Sequence, residues 1–309
     1  MPLIAALSLA LLAPATSQAP PDPVTAPEPE AAPSELDFAT EQDRMTLPVH
    51  IADSGPYAFI VDTGAQRTVI SRQLAVALKL SPGRNVRMTA MTGTSTVATA
   101  IIPLITVGSS PGALGGSRIE APMLEAHHLG ADGLLGLDTL QHRTLTIDFD
   151  AQRMTVTAAA KRRRSPRAAS DEIVVTARSV LGQLVVTDAL YRGTKIRVVL
   201  DSGSAVTMGN LALQRRIGPR ALAPITVTSV TGSVLHAGYT QVEEVSVGGI
   251  KFQNLPIAFA DAAPFARFGL QKRPALLLGM DALRLFRRVD IDFANREVRF
   301  ALPKGTRRI

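Results

Sequence analysis

The chain has no cysteine and no tryptophan, and only 3 tyrosines and 10 phenylalanines among its 309 residues. Without cysteine there can be no disulfide framework and no thiolate chemistry. Such a chain suits a compartment where stray thiols would be oxidised. With so few rings, its cores must be aliphatic, and by the same token so must its binding pockets. The 5 histidines show no metal-ligand spacing such as His-Glu-x-x-His, and His127-His128 reads as a loop pair. Neither a metal nor a cofactor is expected. The formal net charge is +7, yet no basic stripe carries interleaved aromatics. Positive charge gathers only at Lys161-Arg162-Arg163-Arg164 and Arg167, a solvated linker, so no nucleic-acid partner is expected.

One apolar run, Leu3 to Ala13, is too short to span a bilayer and precedes Ser17-Gln18-Ala19, with small residues where a signal peptidase tests them. Residues 1–19 are therefore expected to be a signal peptide on an exported bacterial protein, periplasmic or secreted. No transmembrane segment is expected in the mature chain. Residues 20–35, rich in Pro, Ala and Glu, predict an extended tether, because proline removes backbone donors and fixes φ.

What remains is duplicated. Phe59-Ile60-Val61-Asp62-Thr63-Gly64-Ala65 returns as Val198-Val199-Leu200-Asp201-Ser202-Gly203-Ser204, an offset of 139. Met91-Thr92-Gly93-Thr94 is answered at the same offset by Val230-Thr231-Gly232-Ser233. Leu134-Leu135-Gly136 matches Leu277-Leu278-Gly279 at 143, and Ile147-Asp148-Phe149 matches Ile291-Asp292-Phe293 at 144. Four landmarks in one order, at a period too long for a solenoid, indicate two domain-sized copies. The expected division is a first lobe at 36–160, a basic linker at 161–170 and a second lobe at 171–309.

Short alternating Val, Ile, Leu and Thr runs punctuated by Gly and Pro predict a mainly β fold with a few short helices. Hairpins are expected around Asp53-Ser54-Gly55-Pro56 and Arg192-Gly193, at Val86 to Ile102 around Gly93, and at Ile225 to Tyr239 around Gly232. Ser71 and Asn210 are candidate N-caps. Gly108 to Gly116 reads as a loop, and Gly115-Gly116 and Gly248-Gly249 as ordinary turns.

Each Asp-Thr/Ser-Gly turn alone says little. Two copies related by an approximate twofold axis, however, bring equivalent turns together at that axis. Two carboxylates meeting there cannot both ionise cheaply, so one proton is shared. Such a pair can take a proton from water with one oxygen and give one to a substrate carbonyl with the other. On these motifs the sequence resembles the aspartic peptidases, with retropepsin-like units joined in tandem as in the two-lobed pepsins. The resemblance implies two homologous β-barrel lobes, pseudo-twofold related, with the active site between them and the chain acting as a monomer. It implies that Asp62 and Asp201 are the catalytic pair and that Thr63, Gly64, Ser202 and Gly203 support it. It further implies that the hairpins with Met91, Thr92, Gly93, Thr94 and with Val230, Thr231, Gly232, Ser233 are flaps over an extended polypeptide substrate. The implied activity is endopeptidase hydrolysis. The alternative is a non-catalytic peptide-binding or envelope regulatory module on the same fold. Other acids are assigned lesser parts: Asp138 and Asp281 cap the following helices, and Asp148, Asp290 and Asp292 face solvent from strands. Ser204 lacks a nucleophile elbow.

Overall fold

The computed structural model describes residues 34–37, 39–41, 44–107, 114–140, 143–159, 167–169 and 171–304. The expected signal peptide, residues 20–33 of the tether, the loop at 108–113 and most of the basic linker lie outside the described residues.

Each copy folds as a β lobe built on the same sheet order. In the first, Arg44–Ile51 and Ser54–Val61 form an antiparallel hairpin, and Gly133–Leu135 lies parallel to the second arm. Val69–Ser71, Leu114–Leu124 and Thr99–Val107 follow in the sheet, and Thr99–Val107 returns to pair with Arg44–Ile51, which closes the barrel. In the second, Gln183–Tyr191 and Thr194–Leu200 form the hairpin, with Ala275–Leu278 parallel to its second arm. Met208–Gly209, Leu255–Phe259 and Val234–Val242 continue the order. The run before each Asp is apolar at every position because both faces are covered: Phe59, Ile60, Val61, Val198, Val199 and Leu200 are all buried. The two helices after the Asp turns are capped as their sequences suggest. Ser71 Oγ accepts from Leu74 N at 3.1 Å, and Asn210 Oδ1 accepts from Leu213 N at 2.8 Å.

The lobes share a sheet. Arg143–Asp148 runs antiparallel to Arg288–Asp292, with Arg153–Ala158 and Glu297–Ala301 outside them. In this register Thr146 lies opposite Asp290, its own counterpart 144 residues on. A residue facing its own duplicate is what a twofold axis between two strands requires. Alternation does the packing: Leu145, Ile147, Val289 and Ile291 are fully buried, and each contributes about 1.5–3 kcal/mol by leaving water.

Several expectations need correction. The first tip hairpin is shorter than predicted: Val86–Ala90 pairs only with Gly93–Val97, while Thr99 onward belongs to the barrel wall. Gly115 and Gly116 sit within the strand Leu114–Leu124, opposite Thr106 and Ile105, and not in a turn. Ser34–Asp37 is a strand against Arg153–Ala158, so extended pairing begins before residue 36. Asp292 is buried, its carboxylate accepting from Asn295 N at 3.0 Å and Asn295 Nδ2 at 2.8 Å, which tightens the turn between the last two strands. Asp138 and Asp281 are not N-caps. Each lies inside its helix and reaches across to the loop behind the Asp turn: Asp138 accepts from Thr68 N and Oγ1, and Asp281 from Thr207 N and Oγ1.

Candidate active site

Asp62 and Asp201 end equivalent strands and meet at the axis. The N–H of Asp62 donates to Leu135 O at 3.0 Å and that of Asp201 to Leu278 O at 3.0 Å, so each Leu-Leu-Gly strand fixes the height of its aspartate. Gly136 and Gly279 allow this, since a Cβ at either would strike the backbone at Arg67 or at Val206. The Asp turns then lock to one another. Thr63 N donates to Ser202 Oγ at 3.1 Å and Ser202 N to Thr63 Oγ1 at 3.1 Å. Each hydroxyl donates onward into the other lobe, Thr63 Oγ1 to Leu200 O at 3.1 Å and Ser202 Oγ to Val61 O at 2.8 Å. Both hydroxyls are buried, so each bond satisfies a group that water cannot reach. Gly64 and Gly203 are required by proximity. A Cβ on Gly64 would stand 2.6 Å from Asp201 Oδ1, and one on Gly203 would overlap the Asp62 carboxyl.

The two carboxyls are close neighbours, since that same Cβ on Gly64 would also stand 3.0 Å from Asp62 Oδ1. Burial is the largest influence on both and pushes both upward. Asp201 is pushed up to about 8, the negative charge of Asp62 adding to desolvation. Asp62 also rises, but the N–H groups of Gly64 and Ala65 and the charge of Arg44 oppose the rise. The negative charge of Asp62 is among the influences that raise Asp201, so of the two acids Asp201 holds a proton the more strongly.

The copies differ beside this pair. Thr46 pairs with Ile60 and Val185 with Val199, so Arg44 and Gln183 occupy the same place relative to Asp62 and Asp201. Arg44 is buried and donates to Leu129 O at 2.5 Å. Gln183 is buried too; its Nε2 donates to Gly64 O, and its Oε1 has no partner among the described residues.

A cavity of about 960 Å³ opens above the carboxyls and reaches both lobes. Of the eight expected flap residues only Met91 and Val230 line it; Thr92, Gly93, Thr94, Thr231, Gly232 and Ser233 do not. The cavity-facing surface is instead the first arm of each hairpin, Met88–Met91 and Val227–Val230. The tips are spent on reaching across the axis. Met91 O accepts from Ala263 N of the second lobe at 2.9 Å, and Met91 packs in that lobe's apolar cluster. Val230 packs against Val69, Leu124, Leu129 and Leu134 of the first lobe, and Gly232 lies against the His128 ring.

The expectation of a wholly aliphatic cleft also needs correction. Arg44, Arg67, Arg84, Arg87 and Arg267 line the cavity, together with His127 and His128. The histidines belong to a short helix, Ala126–Leu129, and not to a bare loop. Neither they nor the arginines carry a motif. The usable signal was positional: comparing the copies residue by residue puts Arg44 against Gln183 and Arg67 against Val206. No group of three or more acidic or histidine residues able to hold a metal occurs among the described residues.

Residues 47–142 match a family model described as "gag-polyprotein putative aspartyl protease", and residues 187–282 match one described as "Aspartyl protease". Each match contains one Asp turn, one of the two tip hairpins and one Leu-Leu-Gly segment. The search of curated proteins returned no match.

Proposed function

Because the chain consists of two retropepsin-like aspartic peptidase units in tandem, we propose that it is an endopeptidase in which Asp62 and Asp201 together activate one water. The observation that carries this reading is the pair of neighbouring carboxyls, one from each lobe, lining a cavity that both lobes share. In the proposed reaction Asp62, the ionised member, takes a proton from water while the water oxygen attacks the peptide carbonyl carbon. The proton on Asp201 passes to the carbonyl oxygen, giving a neutral tetrahedral diol. Collapse returns a hydroxyl proton to Asp201, Asp62 protonates the amide nitrogen, and the C–N bond breaks. Water is held off by flap arms whose tips are anchored across the axis. An extended substrate between them can pair its backbone with those arms. The apolar Leu3 to Ala13 segment and the Ser17-Gln18-Ala19 site support the further proposal that the protein is exported.

Digestion of a diverse peptide library tests the reading. The wild-type chain should cut a subset of peptides, and Asp62→Asn and Asp201→Asn should cut none while still binding them. Wild-type protein that binds peptides but cleaves none from acidic to neutral pH would replace this reading with that of a binding module.

A further inference from the structure

Four of the five cavity arginines converge on one side. Arg67 follows Asp62 by five residues, and Arg84 and Arg87 lead into the first flap. Arg267 arrives from the second lobe on the helix Ala263–Arg267, which packs against that flap, and its guanidinium donates to Gln66 Oε1 beside Arg67. Arg84 is paired with Glu120 at 2.8 Å. Arg67 and Arg87 form no ion pair with any described residue, and the partner of Arg267 is the uncharged Gln66. Arg67, Arg87 and Arg267 are exposed at the cavity. Cations without carboxylates, fringing a cavity, favour an anionic occupant.

Arg67 and Arg87 have no cationic counterpart in the second lobe. The residues 139 positions after Arg67 and Arg87 are Val206 and Thr226. Apolar side chains also line the cavity, Met88, Leu124 and Val230 packing with a cluster of the first lobe and Met91, Val206 and Phe268 with one of the second. An extended peptide through this cleft therefore meets apolar side chains from both lobes. Farther out it meets guanidinium groups in one direction only.

Resting on the peptidase reading, we propose that the substrates are peptides carrying acidic side chains some way out from the cut, on one side of it only. Arg67, Arg87 and Arg267 are the residues that select the acidic side chains, and Arg84 holds Glu120 away from them. A guanidinium can take a carboxylate through two parallel hydrogen bonds, so Lys should substitute only in part.

The experiment compares cleavage of a peptide containing Glu at the outer position with its Glu→Gln twin. Wild-type kcat/KM should favour the Glu peptide by about tenfold or more, and the advantage should shrink as salt rises. In Arg67→Gln/Arg87→Gln the Glu-to-Gln ratio should fall towards one, and in the Lys pair it should stay intermediate. Both side chains are exposed and unpaired among the described residues, so their loss should not unfold the lobe. Three results would overturn the inference while leaving the peptidase reading intact: a wild-type ratio near one, a ratio unmoved in the Gln variant, or acids enriched equally on both sides of the cut. Failure of the wild-type chain to cut either peptide or any library member would overturn both.

Discussion

The two lobes agree in the bonds that hold the Asp turns and disagree along much of the cavity wall. Thr63 and Ser202 exchange reciprocal hydrogen bonds, and Asp138 and Asp281 hold Thr68 and Thr207 in the same way. Arg44 faces Gln183 as its counterpart, and Arg67 faces Val206. The physical reason is plain. A reciprocal contact works only if both copies supply matching groups, whereas a cavity wall has no such constraint. Duplication thus fixes the chemistry at the axis and leaves recognition free to become one-sided.

The sharpest way to break this pairing is to remove one acid. Asp62→Asn or Asp201→Asn should each lower kcat by roughly 10³-fold or more, since general acid and base functions are lost together; stopped assays on a cleaved library peptide would measure it. The two losses should not add in the double variant.

Next comes the reciprocal lock. Thr63→Val and Ser202→Ala should each cost about 1–3 kcal/mol by stranding buried N–H groups. Denaturant unfolding of both singles and the double should give a coupling energy on the order of 1 kcal/mol, because the bonds are shared. Independent effects would mean that the turns hold themselves without each other.

The proton shared by the acids should be visible in stability. Asp201 binds its proton up to about pH 8 in the folded chain against 3.8 ordinarily, so between those values the folded state holds more protons than the unfolded. Its contribution is therefore complete below about pH 4 and is lost as pH rises towards 8. The difference in unfolding free energy between wild type and Asp201→Asn should show that downward slope, measured by urea melts across this range.

The smallest effect separates the two sides of the pair. Arg44→Gln makes the first lobe like the second at this place and removes the charge that holds Asp62 down. The acid limb of the kcat/KM profile should move to higher pH, while Gln183→Ala should leave it in place. Equal shifts in both would show that the two acids are not distinguished by Arg44.

Much of this was readable before any coordinates. Period-two alternation marked strands such as Arg143–Asp148, and side-chain oxygens at Ser71 and Asn210 marked helix starts, because both signals are local. The meeting of Asp62 and Asp201 was readable because a duplication implies an axis and an axis implies contact. What could not be read depends on who lies opposite. Asp292 looked like a solvent-facing strand acid until Asn295 folded back onto it. Asp138 looked like a cap, yet its partner is Thr68, 70 residues away. The arginines of the cleft come from four separate segments and share no spacing, so only the fold gathers them. Gly93 and Gly232 were rightly placed near hairpin tips, but it is the arms before them that face the cavity.

A neutron structure of the deuterated protein near neutral pH would test the shared proton most directly. One deuteron should lie between the carboxyls, bonded to Asp201 and absent from Asp62. A deuteron on each acid, none on either, or two carboxyls standing apart without a bond would contradict the account.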